Sequence, residues 1–154
     1  MRFDAAPAAH TAVTSAGRIA FHDEGDGPAV LLLHGFPASS WQWRDFVPIL
    51  ASRFRVIAPD LLGAGTSAPA DGARLDLVTQ ARAMRELMSH LRIERYAVVA
   101  HGVGAGVAQL LALDGDGVDA LVLLSAAALD AWPSTAVVRA RARVHEEPTP
   151  ELVR

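Results

Sequence analysis

Neither cysteine nor lysine occurs in the 154 residues, so all 14 basic side chains are arginine. Without thiols there are no thiolate nucleophiles, disulfides or Cys-ligated zinc, and without lysine there is no Schiff-base chemistry and no lysine-dependent phosphate loop. Dense basic runs are also missing. A net charge of −3 and a pI near 6.0 leave no electrostatic footprint for nucleic acid or for an anionic membrane. No apolar run approaches a membrane span, and Met1 to Gly17 lacks an apolar segment flanked by positive charge, so a cytoplasmic chain is expected. With 51% hydrophobic and 20% charged residues, the chain suits one globular domain able to bury a real core.

The periodicity alternates in the manner of βαβ units. Ile19 to Asp23 reads as a strand ending in the turn Gly25-Asp26-Gly27-Pro28, and Val30 to Leu33 as an all-apolar strand covered on both faces. Ser39 or Ser40 caps a helix through about Leu50, followed by a strand from Arg55 to Ala58. Asp76 caps a helix in which Leu77, Ala81, Met84, Met88 and Leu91 recur at helical spacing. A strand from Tyr96 to Ala100, a helix from about Gly104 to Leu113 and a strand from Ala120 to Leu124 complete a mostly parallel α/β sheet with crossover helices. Leu121-Val122-Leu123-Leu124 has no polar alternation, as in a strand buried on both faces, yet no later strand is foreseen to cover its edge. Self-association through residues 121–124 is the expected consequence.

The chemistry of the chain centres on Tyr96 to Val107, a strand running into a glycine-rich turn and a helix. A small-x-nucleophile-x-small turn places its central side chain at the exposed tip of a sharp strand-to-helix bend. Ala100 and Gly104 are the small flanks here, so the central position is Gly102, which offers no hydroxyl, thiol or carboxylate.

Two upstream segments accompany that turn: Val30 to Pro37, with His34-Gly35-Phe36-Pro37 at its end, and Arg55 to Pro69, which contains Asp60-x-x-Gly63-x-Gly65-x-Ser67. Together the three motifs resemble, in order and spacing, those of the α/β-hydrolase superfamily, in particular the branch of epoxide hydrolases, haloalkane dehalogenases and carbon-carbon bond hydrolases. The resemblance covers about residues 18 to 135. It implies an N-terminal extension over 1–17, an incomplete, truncated α/β-hydrolase core over 18–130, and the start of a helical lid or a frayed tail over 131–154. The position of Gly102 is normally Ser or Asp in that branch, and the catalytic His and acid belong to strands after the last one here. The backbone N–H groups of Phe36 and Val103 would form the oxyanion hole, with His34, Gly35, Asp60, His101 and Gly104 supporting loop and elbow. The expected protein is therefore of ester, epoxide or carbon-halogen hydrolase ancestry and inactive as this chain. A small apolar ligand or substrate is its expected partner, and no cofactor is implied.

Other readings of the same residues are weaker. His34, Asp60 and His101 at neighbouring strand ends imitate a metal ligand set, but bracing of the loop and elbow by hydrogen bonds accounts for them. His90 suits a helix C-terminus and His145 a solvated tail. Ser39, Ser40, Ser67 and Ser125 suit caps and turns, and Trp41, Trp43 and Trp132 suit packing, Trp132 also the mouth of a pocket. Gly102-x-Gly104-x-Gly106 imitates a dinucleotide-binding turn, but Val107 stands where the third glycine belongs and the next strand ends at Ser125 without an acid.

Overall fold

The computed structural model describes residues 10–115 and 117–126. Seven strands form one sheet: β1 (His10–Thr14), β2 (Gly17–Glu24), β3 (Ala29–Leu33), β4 (Arg55–Pro59), β5 (Ala68–Pro69), β6 (Tyr96–His101) and β7 (Val118–Leu124), in the order β1-β2-β4-β3-β6-β7, with β5 also on β2. The β4, β3, β6 and β7 ladders are parallel, and β1, β2 and β5 add antiparallel pairings at one side.

Side-chain alternation along β3 decides the layering. Leu31 and Leu33 face one side, where Ile19, Ile57 and Val98 meet the helices α2 (Leu77–His90) and α3 (Val103–Leu113) through Met84, Leu87, Val107 and Leu111. Val30 and Leu32 face the other, with Val56, Ala58, Trp43 and Val47. Both faces of the central strand are thus covered, as its unbroken apolar run requires. Asp76 caps α2 by accepting the Thr79 N–H at 2.9 Å, which holds its carboxyl below the usual carboxylate range. Ala81, Met84 and Met88 of the stripe are buried, and Leu77 and Leu91 pack at its ends. No described helix is long and apolar enough to cross a membrane.

Three expectations are corrected. The supposed extension over 1–17 contributes β1, which pairs with β2 from His10↔Phe21 to Thr14↔Gly17. Its inward residues are only Ala12 and Thr14 while Val13 lies exposed, a weak apolar signature. The helix from Ser39 or Ser40 to Leu50 is broken into a 3-10 turn (Ser40–Trp43), capped by Ser39, and a short α1 (Val47–Leu50). Pro48 explains the break, because it lacks an N–H and its ring would clash with a preceding helical turn, whereas the first turn of a new helix accepts it. The strand from Ala120 begins earlier, at Val118, and Leu121 to Leu124 keep 37–49% of their surface instead of being buried on both faces. Among the described residues β7 pairs with β6 alone. The lid start at 131–154, with Trp132 and His145, lies outside the described residues.

Candidate active site

Three segments converge at the carboxyl ends of β3, β4 and β6, where open parallel sheets place their sites. The β6-to-α3 connection turns at Gly102 with φ 54° and ψ −119°, a conformation that strains any residue with a side chain. The Gly102 N–H donates to Leu124 O at 3.0 Å and its carbonyl accepts the Ala105 N–H at 3.1 Å, so both neighbours fix the bend. Space is not limiting at the tip: a Cβ there would meet only Gly35 Cα, at 3.4 Å. Gly104 is held tightly, since a Cβ would stand 2.5 Å from His34 O and 2.8 Å from Leu33 O. Its bareness lets α3 start against the end of β3, with the unpaired N–H groups of the helix's first turn beside the loop.

His34 ties that loop down. The ring is 2% exposed, its Nδ1 lies 2.8 Å from Gly35 O and its Nε2 3.0 Å from Leu61 N. A carbonyl only accepts and an amide only donates, so the ring is neutral with its proton on Nδ1. Burial pushes its pKa below the ordinary 6.5, outweighing the Gly35 carbonyl and the Asp60 charge. Gly35 O also accepts the Ala38 N–H at 3.0 Å, and the Gly35 N–H donates to Gln42 Oε1 at 3.1 Å. Every polar atom of Gly35 is engaged, so the peptides on both sides of it, including the one that carries the Phe36 N–H, are fixed. The Phe36 side chain projects outward, 58% exposed, and the Phe36–Pro37 peptide is cis.

Asp60, 3% exposed, closes the loop after β4: Oδ1 accepts the Ser40 N–H and Oδ2 the Thr66 N–H, each at 2.8 Å. Gly65 turns there with φ 52° because a Cβ would overlap the Asp60 carboxylate. Ser67 donates to Asp60 O at 2.7 Å and accepts the Ala20 N–H at 2.8 Å, stitching the loop to β2. Both nitrogens of His34 are committed to the backbone, which leaves the ring no lone pair for a metal, and each oxygen of Asp60 already holds one amide. His22, nearby on β2, is likewise pushed below 6.5 by burial, against the pull of the Asp60 charge.

His101 departs from the bracing role foreseen for it. Its Nδ1 is buried without a hydrogen-bond partner among the described residues and lies against Gly35, where a Cβ would overlap it. It supports the loop by packing. Two glutamines were missed from the sequence: Gln42, above, and Gln80, which bonds both the N–H and the carbonyl of Leu62 at 2.9 Å. A polar residue on the inward stripe of a helix was the available signal for Gln80. Of the remaining candidates, Ser39 caps the 3-10 turn, His90 lies exposed in the last turn of α2, Trp43 is core, and Trp41 lies beneath the Arg44 guanidinium.

The arrangement sets the Gly35 loop and the N-terminus of α3 beside a tip that carries no reactive atom. The chain as a whole is similar to known proteins. A sequence profile of the alpha/beta hydrolase fold matches residues 28–145. The soluble epoxide hydrolase of Corynebacterium sp. (strain C12) is 42% identical over 106 residues, 68% of this chain and 36% of that protein. Haloalkane dehalogenase 2 of Mycobacterium tuberculosis is 36% identical over 137 residues, 88% of this chain and 47% of that protein. A crystal structure of an alpha/beta hydrolase fold protein from Burkholderia ambifaria superposes with a TM-score of 0.81 at 33% identity, covering 95% of this chain and 53% of its own. The chain spans between about a third and half of the length of these relatives. Because the profile matches most of the sequence and the sheet carries the three motifs at one end, this chain belongs to the alpha/beta hydrolase fold family.

Proposed function

We propose that this chain carries the elbow and oxyanion loop of an ester, epoxide or carbon-halogen hydrolase with the nucleophile position vacant, and that it performs no covalent turnover. Gly102 carries the reading: acyl transfer or dehalogenation on this architecture needs a nucleophile at the tip, and hydrogen has replaced it. His34 is no base for that tip, since it spends both nitrogens on the backbone, and His101 has its Nδ1 buried against Gly35. The backbone N–H groups of Phe36 and Val103 remain as oxyanion donors, and the α3 dipole adds about 0.3–1 kcal/mol for an anionic or polarised oxygen. The chain is thus a weak binder of small apolar ligands bearing a carbonyl or an acidic oxygen, in the cytoplasm.

The test incubates the purified chain with a panel of aryl esters, epoxides and haloalkanes. No rate above buffer is expected. A rate that disappears in Val103→Pro overturns the reading, because proline is tolerated at the first helical position and removes the amide donor.

A second reading rests on Leu121 to Leu124, exposed on the last described strand: an interaction module that pairs this edge with a second copy. A monodisperse monomer in light scattering at high concentration rejects it.

A further inference from the structure

The hydrogen bonds of His34 form a relay between two loops: Leu61 N–H to Nε2, then Nδ1–H to Gly35 O. Gly35 C=O and Phe36 N–H belong to one peptide plane and point in opposite directions, so whatever holds the carbonyl also aims the amide. We propose that His34 is a proton-sensitive positioning residue, a single proton on Nε2 releasing the Gly35–Phe36 loop from the loop that follows β4 and misaiming the Phe36 N–H. This rests on the reading of that amide as an oxyanion donor.

The physical case is one of donor count. A protonated imidazole presents two donors, and Nε2–H would then confront the Leu61 N–H, leaving two buried donors head to head. The ring is too buried for water to separate them. The titratable groups around it do not offer a new acceptor. Asp60 acts on the ring through its charge and not through a hydrogen bond, and its oxygens hold the Ser40 and Thr66 amides in place. His101, at the end of β6, lies against Gly35, and burial disfavours a proton on His22 of β2 as well. The remaining polar neighbours, Gln42 and Ala38, hold Gly35 by its own N–H and carbonyl and have no bond to Leu61. Protonation is therefore accommodated by opening the contact between the two loops, while the sheet beneath keeps its ladders.

The sign follows from linkage. The latched ring resists its proton and the opened ring titrates near 6.5, so opening is pH-independent above 6.5 and grows about tenfold per pH unit below it, until the latched ring protonates too. The experiment uses the 15N-labelled full chain, without ligand, between about pH 8 and about pH 5. Ring-nitrogen spectra are expected to show the Nδ1–H tautomer of His34 at neutral pH. Hydrogen exchange, corrected for its intrinsic pH dependence, is expected to show Leu61 opening with the tenfold slope and ahead of Val98, which sits in the sheet centre and reports global unfolding. The Phe36 amide resonance is expected to move with the same midpoint. An Nε2–H tautomer, a flat Leu61 profile, or Leu61 opening only together with Val98 overturns the proposal. His34→Gln places a non-titrating amide oxygen near the Nε2 position and is expected to flatten the Leu61 slope; retention of the wild-type slope in that variant overturns it as well. None of these readouts involves a substrate, so the relay stands or falls separately from what the elbow binds.

Discussion

Gly104→Ala asks whether the close seating of α3 on β3 is what sets the elbow. The added Cβ would stand 2.5 Å from His34 O, 2.8 Å from Leu33 O and 2.9 Å from Leu33 C. All are backbone atoms at the end of a strand paired on both sides, Leu31 with Ile57 and Leu33 with Ala100, so no rotamer change relieves the overlap. Ordinary contacts begin near ~3.5 Å, so the helix start has to retreat by ~1 Å. Overpacking costs about 1–3 kcal/mol, and an obstacle made of backbone points to the upper end. Alanine returns up to ~1 kcal/mol in helix propensity. The net loss is ~2 kcal/mol, a fall of about 4–8 °C in melting temperature for a domain of this size. Gly72→Ala is the comparator: φ is +72° and nothing lies within 4 Å, so only the conformational term of about 1–2 kcal/mol applies. Thermal melts followed by circular dichroism measure both. The two variants separate at the elbow, because only Gly104→Ala shifts the Phe36 and Val103 amide resonances. A Gly104→Ala protein that melts at or above the parent temperature, with those resonances in place, refutes the reasoning.

Gly102→Ser and Gly102→Asp are expected to fold, since the tip has room, to lose about 1–3 kcal/mol to the positive φ in urea titrations, and to show no turnover on the substrate panel. Turnover in either single variant contradicts the account of the base. Asp60→Ala strands the Ser40 and Thr66 amides, both bonded at 2.8 Å, and is expected to cost on the order of 3 kcal/mol, with Asp60→Asn costing less because one acceptor survives; equal stability of the two variants argues against the hydrogen-bond assignment. His22 and His34 both bind their protons more weakly folded than unfolded, so stability is level above pH 6.5 and declines as pH falls below it, by up to ~1.4 kcal/mol per pH unit for each ring. Urea unfolding free energies that stay constant from about pH 7 to about pH 5 exclude two neutral buried rings.

Elements whose burial is uniform or strictly periodic were legible from the residues. The unbroken Val30–Leu33 run and the Leu77–Leu91 stripe each name their covered faces, and the structure covers those faces. The glycine-rich bend was equally legible, because φ 54° at Gly102 and the tight seat at Gly104 are demands that few residues other than glycine meet. What stayed hidden depends on long-range partners. β1 buries little beyond an alanine and a threonine, so its pairing is dictated by the edge of β2 and not by its own pattern. The break before Pro48 was readable in principle, since a proline eight residues into a supposed helix argues against it. Gln42 and Gln80 bond loop backbones that are 7 and 18 residues away; the inward position of Gln80 on its helix marks a buried polar group but does not name the backbone it bonds. Position alone suggests a hydrogen bond for His101, whereas its ring occupies the space that Gly35, lacking a Cβ, leaves beside it.

The bend keeps its shape without a side chain at the tip because nothing that shapes it resides in that side chain. The strand end is set by β6 pairing between β3 and β7, the Gly102 N–H is spoken for by Leu124 O, and the helix start is set by Gly104 against the β3 carbonyls. Those constraints impose the positive φ whatever residue occupies position 102. For serine or aspartate the conformation is a cost of about 1–3 kcal/mol that stability elsewhere has to offset, and glycine removes most of it. Glycine at the tip therefore strains the scaffold less than serine or aspartate would. The same logic applies to the support around the tip: His34 and Asp60 bond the loops to each other, so their removal would be felt in folding whatever the tip carries.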